Sequence, residues 1–210
     1  SGLTSVEIPE SVTSIDNYAF QNCSGLTSVS IGNSVTSIGN KAFSGCTALT
    51  DVTINSNAIA SKTYTSSSRL SEIFGSQVTS YAFGESVEKI GDYACYNASK
   101  ITNLSLPETL TSIGSNAFRG CTGLTSAKIP NAVTTVNSNA FQNCSGLTSV
   151  HISDLAAWCG ISFGSSSANP LTYAHHLYLN GEEVKELVVP DGVETIGSYA
   201  FYNGSEITAV

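Results

Sequence analysis

Charged side chains are scarce in this sequence of 210 residues, and basic ones are the scarcest. Charged residues make up 11% of the chain, and 8 basic against 16 acidic residues give a formal net charge of −8. Nucleic acids and anionic membrane surfaces are bound through concentrated positive charge. The composition therefore argues against both kinds of partner.

Long apolar runs, methionine and catalytic motifs are also missing. No apolar run approaches the roughly 18 residues that mark a membrane-spanning helix. Because there is no Met and no signal peptide, we expect the sequence to come from inside a longer gene product. There is no G-x-S-x-G elbow, no phosphate-binding loop and no carboxylate pair on a rigid scaffold. These absences predict a protein that is not an enzyme and that holds no metal or cofactor.

Small hydroxyl residues are abundant instead. The chain has 34 Ser and 21 Thr, a content that by itself is typical of disordered tracts. The hydrophobic fraction is nevertheless 41%, enough apolar surface to offset the entropy lost on ordering the chain. The sequence therefore predicts a folded protein.

The apolar residues follow a repeat of 23 residues. Its first residue, counted as position 1, is Leu3, Leu26, Val78, Ile101, Leu124 or Val184. In all six segments position 17 is alanine, and position 18 is phenylalanine in five of them, with Cys95 in the sixth. Agreement of this kind at a fixed period is the signature of a repeat protein, in which stacked units bury a core that one unit cannot bury alone.

The spacing within one unit predicts two short strands and a turn. Leu3, Val6 and Ile8 point to one side of a first strand, and Val12 and Ile15 do so in a second. A Pro or Gly follows the first strand, and we expect a bend there. Position 14 is expected to be a second bend with positive φ, because it is most often Gly. The Ala-Phe pair is expected on a short helical turn.

Two units depart from the pattern, with irregular excursions at about 55–77 and 153–183. We interpret each as a small β excursion that rejoins the stack. Residues 154–159 are expected to form one or two helical turns N-capped by Ser153 or Asp154. The Asn180-Gly181 pair between apolar stretches predicts a β-hairpin.

The unit resembles the BspA-like leucine-rich repeat, also called the Treponema-type repeat, with the pattern LxxIxIPxxVxxIGxxAFxxC. Residues 26–46 match this pattern nearly position for position. The resemblance implies a right-handed β/α superhelix of mainly parallel strands with short helical turns. Over residues 1–210 we expect a single solenoid of about nine coils. The resemblance also implies an extracellular or cell-surface location in bacteria, with adhesion to host or microbial partners as the usual role.

Cysteine and histidine carry the remaining chemical possibilities. Cys23, Cys46, Cys121 and Cys144 share position 21, which places one thiol in each coil and argues against a metal site. A disulfide between neighbouring coils is not excluded by distance, but Ala or Gly replaces Cys in other units, which favours free buried thiols. The three histidines, His151, His175 and His176, are interpreted as structural or surface residues.

The outward side of the first strand is the candidate binding surface. Its residues stack into a nearly uncharged ladder of hydroxyls, which suits either plain solvent exposure or hydrogen bonding to a glycan or an extended protein. An ice-binding array is disfavoured because the Thr-Ser pattern is not a regular Thr-x-Thr. The ladder candidates are Ser28, Ser30, Asn103, Ser105, Ser126 and Lys128. Exposed aromatic anchors are expected at Tyr64, Trp158 and Tyr173, although Trp158 is favoured slightly as a core cap.

These observations predict a non-catalytic interaction module that binds an unidentified protein or glycan at the cell surface. The alternative is a structural stalk that displays another domain. Neither end of the repeat carries a polar cap, so end-to-end self-association is a further expectation.

Overall fold

The regular units that begin at Leu3, Leu26, Val78, Ile101 and Leu124 form two short strands each, and the strands of successive units pair side by side. The described part of the unit that begins at Val184 has no strand. The computed structural model describes residues 2–208. The first strands of the units are β1 (Ser5–Ile8), β3 (Ser28–Ile31), β5 (Asp51–Ile54), β6 (Ser80–Phe83), β8 (Asn103–Ser105), β10 (Ser126–Lys128) and β12 (Ser149–Ile152). The second strands are β2 (Ser14–Ile15), β4 (Ser37–Ile38), β7 (Lys89–Ile90), β9 (Ser112–Ile113), β11 (Thr135–Val136) and β13 (Ser162–Phe163).

The strands form parallel ladders in which equivalent repeat positions face each other. Ser5 pairs with Ser28 and Val6 with Val29, and the sheet runs in the order β1-β3-β5-β6-β8. The predicted parallel-strand repeat architecture is therefore confirmed. A second sheet begins at β10, so the first-strand ladder is interrupted between β8 and β10. The second strands bridge this interruption, because β9 pairs with β11 in the ladder β7-β9-β11-β13.

The core lies between the first strands, the second strands and the turns that close each unit. Val29 and Ile31 are buried, as the two-residue alternation of the strand predicts, and Leu26, just before β3, is buried as well. Aromatic rings continue the stack, with ring centroids 5.0 Å apart for Phe20 and Phe43. Each unit thus buries its apolar side chains against its neighbours, as stacked repeats must.

The Ala-Phe segment is a chain of hydrogen-bonded turns and not the helical turn that we predicted. The amide of Phe20 donates to the carbonyl oxygen of Ala42 in the next unit at 2.8 Å, and the amide of Asn22 donates to Ser44 in the same way. Because alternate amides bond to the neighbouring unit, they are not free to close a helix. Backbone φ is positive at position 16 and at position 20, for example 62° at Tyr18 and 61° at Asn22.

The glycines at position 14 have a different role from the one we predicted. Gly39, Gly91 and Gly114 are not among the residues with positive φ. A Cβ at Gly91 would lie 1.9 Å from the carbonyl oxygen of Lys62 in the preceding unit, and one at Gly114 would lie 2.5 Å from the amide nitrogen of Asp92. These glycines are required because the backbones of adjacent units pass close together.

The first irregular unit is helical, which corrects the prediction of a β excursion. It contains α1 (Asn57–Ala60) and α2 (Leu70–Phe74), and its one isolated bridge within the described residues joins Thr65 and Ser68. Phe74 lies with its ring centroid 5.1 Å from that of Phe43. It therefore fills the core position that the missing Ala-Phe pair leaves open.

The second irregular unit combines helices with the predicted hairpin. Its helices are α3 (Leu155–Cys159) and α4 (Leu171–Ala174), with a 3-10 turn at Ser166–Ala168 between them. Asp154 caps α3, because its carboxylate accepts from the amide of Ala157 at 3.0 Å. Strands β14 (Leu177–Leu179) and β15 (Glu182–Glu183) form the antiparallel hairpin around Asn180-Gly181.

All six cysteines are free thiols. Several of them hydrogen-bond along the stack: Cys46 donates to the carbonyl oxygen of Phe20 at 3.1 Å, and Cys121 donates to that of Cys95 at 3.2 Å. The expectation of free buried thiols is confirmed, although Cys23 is only half-buried.

Candidate functional site

The outward residues of β1, β3, β5, β6 and β8 form one continuous polar surface, here called the outward strand face. Its residues are Ser5, Ser28, Asp51, Ser80 and Asn103 in one row and Glu7, Ser30, Thr53, Ala82 and Ser105 in the next. The two rows are in register because the five strands pair in parallel without a bulge. Four of the candidate ladder residues therefore lie on one sheet.

Two of these four residues have side-chain hydrogen bonds across the sheet. The amide of Asn103 donates to the hydroxyl of Ser80 at 3.2 Å, and the hydroxyl of Ser30 accepts from the amide of Asn55 at 3.3 Å. Ser105 is exposed and Ser28 is half-buried. The face thus presents short donors and acceptors with charges only at Glu7 and Asp51.

The other two ladder candidates are separated from this face. Ser126 and Lys128 lie on β10, beyond the interruption, in a sheet with β12 and β14. Lys128 forms an ion pair with Glu108 at 2.7 Å. Lys128 is paired in register with His151, whose ring stacks on Tyr178 at 4.9 Å between centroids. The structure thus divides the predicted ladder into two surfaces of different chemistry.

The threonines at position 2 hydrogen-bond to the backbone of the preceding unit. The hydroxyl of Thr27 donates to the carbonyl oxygen of Thr4 at 2.9 Å, and that of Thr148 donates to Thr125 at 3.1 Å. Because these hydroxyls bond to the preceding unit, they are less available to a ligand than the serines at positions 3 and 5.

The expected aromatic anchors are not exposed. Tyr64 is 3% exposed, and its hydroxyl donates to the carbonyl oxygen of Ile59 at 2.8 Å, so the prediction of an exposed anchor there is wrong. Trp158 is 1% exposed and its indole donates to the carbonyl oxygen of Ala200 at 3.0 Å, which confirms the core-cap reading. Tyr173 is half-buried on α4 and packs against the core.

Sequence reasoning missed a polar cluster at the turn side of the units. Tyr93 and Tyr96 lie with ring centroids 5.3 Å apart, and Arg69 and Arg119 lie over the ring of Tyr96. The signal was present as half-buried tyrosines at positions 16 and 19 of the unit that begins at Val78, a pair that recurs as Tyr199 and Tyr202 in the last unit.

One further group of titratable residues joins the hairpin to the last unit. His176 Nδ1 lies 2.5 Å from Glu183, and Lys185 Nζ lies 2.7 Å from Glu183 and 3.6 Å from Glu206. The hydrogen bonds that His176 and Lys185 donate lower the pKa of Glu183, and donation to the carboxylates of Glu183 and Glu206 raises the pKa of Lys185. A metal ion held by His176, Glu183 and Glu206 would have to displace Lys185.

A cleft of about 310 Å³ lies between the second unit and α2. Its lining includes Lys41, Cys46, Glu72 and Gln77. Burial raises the pKa of the Cys46 thiol, which keeps it neutral and poorly nucleophilic. The amide of Gln77 donates to the carbonyl oxygens of Cys46 and Phe74 at 3.0 Å, so this side chain serves to hold the cleft wall.

Within residues 2–208, none of the helices has the length and apolar character needed to cross a membrane.

One solved structure supports the repeat architecture, and two others are similar to the chain at lower TM-scores. A leucine-rich repeat protein of T. pallidum is 25% identical, with a TM-score of 0.51 over 70% of this chain and 69% of that one. A leucine-rich repeat protein of Bacteroides ovatus is 22% identical over 90% of this chain and 52% of that one, with a TM-score of 0.45. A leucine-rich cell surface protein of Faecalibacterium prausnitzii is 21% identical over 99% of this chain and 78% of that one, with a TM-score of 0.34.

None of the curated proteins compared with the chain matches it. A family model does match. The BspA type leucine-rich repeat region is found in six copies over residues 1–85, 74–178 and 172–210, which together span the sequence. The chain therefore belongs to the BspA-type leucine-rich repeat family.

Proposed function

We propose that the chain is a non-catalytic interaction module, displayed at the cell surface or secreted, that binds a host or microbial protein or glycan in an adhesin-like role. Membership of a repeat family whose members are typically interaction modules supports this proposal. The outward strand face supplies the contact surface, with Ser28, Ser30, Asn103 and Ser105 as its central residues.

The observation that carries the proposal is the register of the outward strand face. Five parallel strands place mostly short polar side chains at equivalent positions, at a spacing of about 4.8 Å. An extended peptide or a glycan also repeats its hydrogen-bonding groups at regular intervals, so one ligand can meet equivalent donors and acceptors on successive strands. Ser126 and Lys128 then belong to a separate, adjoining contact region.

The second candidate function is a stalk that holds another domain away from the cell. The threonine hydroxyls that bond from unit to unit favour this role, because they stiffen the stack without needing a ligand. A stalk depends on the number of units and not on the outward side chains.

The same proposal includes the assembly of the whole chain. We take residues 1–210 as one right-handed solenoid of about nine coils. Its end units can associate with other copies, because Leu3 is 37% exposed while the equivalent Leu26 is fully buried, and because Val188 is 69% exposed.

The test is binding of the purified chain to a panel of extracellular-matrix proteins, mucins and glycans. A double variant, Ser28→Arg/Ser105→Arg, places two large side chains on the outward strand face. The matched control, Ser11→Arg/Ser86→Arg, adds the same groups at exposed bends after the first strand. We expect saturable binding that the first variant weakens by at least tenfold and the control leaves within twofold. Equal loss in both variants, or no binding to any member of the panel, would favour the stalk.

A further inference from the structure

The two arginines of this chain converge on one tyrosine at the turn side. The guanidinium carbon of Arg69 lies 5.6 Å from the ring centroid of Tyr96, and that of Arg119 lies 5.7 Å from it. Tyr93 packs beside Tyr96 at 5.3 Å. These four residues are here called the turn-side cluster. Its position is unexpected in a chain with 16 acidic and only 8 basic residues.

The two guanidinium groups are held in place but are not equally neutralised. Arg69 donates to Ser71 at 3.0 Å and to the carbonyl oxygen of Ser66 at 2.9 Å, and it pairs with Glu72 at 3.2 Å. Arg119 donates to the amide oxygen of Asn116 at 3.4 Å. Among the described residues no carboxylate lies within 4.0 Å of Arg119. The guanidinium group of Arg119 is therefore oriented and has no carboxylate partner, so its N–H donors can bind one.

The backbone at Tyr93 favours a smaller residue. Its φ is 56°, in the left-handed region that glycine and asparagine adopt most readily. Asn116 and Asn139 occupy the same position in the next two units, with φ of 56° and 61°. Tyr18 and Tyr199 occupy this position in two other units, with φ of 62° and 64°, so a tyrosine here recurs in the repeat. What distinguishes Tyr93 is its neighbour Tyr96, whose ring lies under both arginines. In this structure the ring of Tyr93 extends the surface that Tyr96 and the arginines begin.

The cluster adjoins a recess. Helix α2 follows Arg69 directly, and its residues Glu72 and Ile73 line the cleft of about 310 Å³ on the side of Lys41. Glu72 links the two features, because it lines the cleft and pairs with Arg69 of the cluster.

We propose that the turn-side cluster is a second binding surface, distinct from the outward strand face, and that it takes an acidic segment of a partner protein. A carboxylate of that segment accepts both donors of Arg119, and its neighbouring side chains pack on Tyr93. Tyrosine and arginine are the residues that most often dominate protein interfaces. The ring of Tyr96 is covered by guanidinium groups, so a ligand meets hydrogen-bond donors there and not a bare aromatic platform for a sugar. The inference rests on the proposed function only in treating the chain as an interaction module.

The test measures fluorescence anisotropy of a fluorescein-labelled deca-glutamate peptide titrated with the chain at low and at physiological salt. We expect saturable binding that Arg119→Gln weakens about tenfold. Arg119→Lys keeps the charge but loses the planar fork, so it should recover only part of the affinity. The control is Lys89→Gln, which removes one positive charge from exposed β7 and should change the affinity by less than twofold.

Three results would overturn the proposal. The first is no saturable binding of deca-glutamate, and the second is an equal loss of affinity in Lys89→Gln, which would show general charge attraction. The third is tighter binding of a ten-residue oligogalacturonate that is lost in Arg119→Gln, which would make the partner an acidic glycan. Circular dichroism and thermal melting of Arg119→Gln verify that the fold is retained. Ser28 and Ser105 are unchanged in these variants. If deca-glutamate does not bind, the proposal for the outward strand face still stands or falls by the panel of matrix proteins, mucins and glycans.

Discussion

At the scale of single residues, two buried tyrosines differ in how their hydroxyls are satisfied. Tyr64 donates to the carbonyl oxygen of Ile59 at 2.8 Å, whereas the hydroxyl of Tyr81 has no hydrogen-bond partner within residues 2–208. A buried polar group without a partner costs about 1–3 kcal/mol. The two side chains therefore form a natural pair for measuring the contribution of one hydrogen bond.

We predict that Tyr81→Phe raises the free energy of unfolding by about 1 kcal/mol, because it removes the unpaired hydroxyl. Tyr64→Phe should lower the free energy of unfolding by about 1 kcal/mol, because it leaves the carbonyl oxygen of Ile59 without its donor. Urea unfolding of both variants beside the original chain measures the difference. A loss of stability in Tyr81→Phe equal to that in Tyr64→Phe would show that Tyr81 has a hydrogen-bond partner in solution.

Because its thiols are buried, we expect the chain to lose stability as the pH rises above about 9. Burial raises the pKa of Cys144 to about 12, above its ordinary value of 9.0. Between these values the folded chain keeps a proton that the unfolded chain releases. The contribution of this thiol to the free energy of unfolding is therefore fully present below about pH 9. As the pH rises towards 12, the free energy of unfolding falls by up to about 1.4 kcal/mol per pH unit for each such thiol.

Urea unfolding at pH 7, 9 and 10 should show this decline. Cys144→Ala removes one of the titrating thiols, so its stability should fall less steeply over the same range, whatever its stability at pH 7. Identical slopes for the two proteins would contradict the assignment of the decline to Cys144.

At the scale of the elements, the spacing between units is set by glycines that allow close backbone contact. Gly91 and Gly160 offer a matched pair. A Cβ at Gly91 would meet the carbonyl oxygen of Lys62 at 1.9 Å, whereas the nearest atom to a Cβ at Gly160 is 3.5 Å away. Gly160 also has φ of −78°, which any residue adopts.

We predict that Gly91→Ala lowers the free energy of unfolding by about 2 kcal/mol or more, because the methyl group forces two units apart. Gly160→Ala should change it by less than about 0.5 kcal/mol. Thermal melting of both variants provides the measurement. If the two glycines proved equally tolerant, close packing would not be the reason for Gly91.

The sequence alone predicted the elements whose signals are local. The strands follow from alternating apolar residues, the cap of α3 from Asp154, and the hairpin from Asn180-Gly181. It did not predict the turns at the Ala-Phe pairs, because there alternate amides bond to the next unit and not within their own. The sequence analysis also missed α2. Its Phe74 lies outside the repeat pattern but fills the core position that the repeat phenylalanine fills in regular units.

At the scale of the whole molecule, the stack separates structural residues from those available to a partner. Most of the repeated apolar positions are buried, and the threonines at position 2 bond between units. On the outward strand face, Ser30 and Ser80 accept from neighbouring amides, and their hydroxyl protons are left for a partner. Four ladder residues could be placed on one face from the sequence, since the period fixes their register. The interruption after β8, which separates Ser126 and Lys128 from that face, has no signal in the repeat pattern.

The aromatic residues show the limit of reading sites from a repeat. Tyr64 and Trp158 lie outside the pattern, and that irregularity suggested exposure. Both are instead needed to fill the core where the regular side chains are missing. Large residues in irregular units are therefore weak evidence for a binding site.

The central claim is that partners bind to the outward strand face, and amide hydrogen exchange followed by mass spectrometry tests it most directly. The chain is compared alone and with the tightest-binding ligand of the panel. We predict slower exchange in peptides that contain β3 and β8, with little change in residues 61–69. Protection confined to residues 61–69, with β3 and β8 unchanged, would contradict the claim and move the site to the first irregular unit.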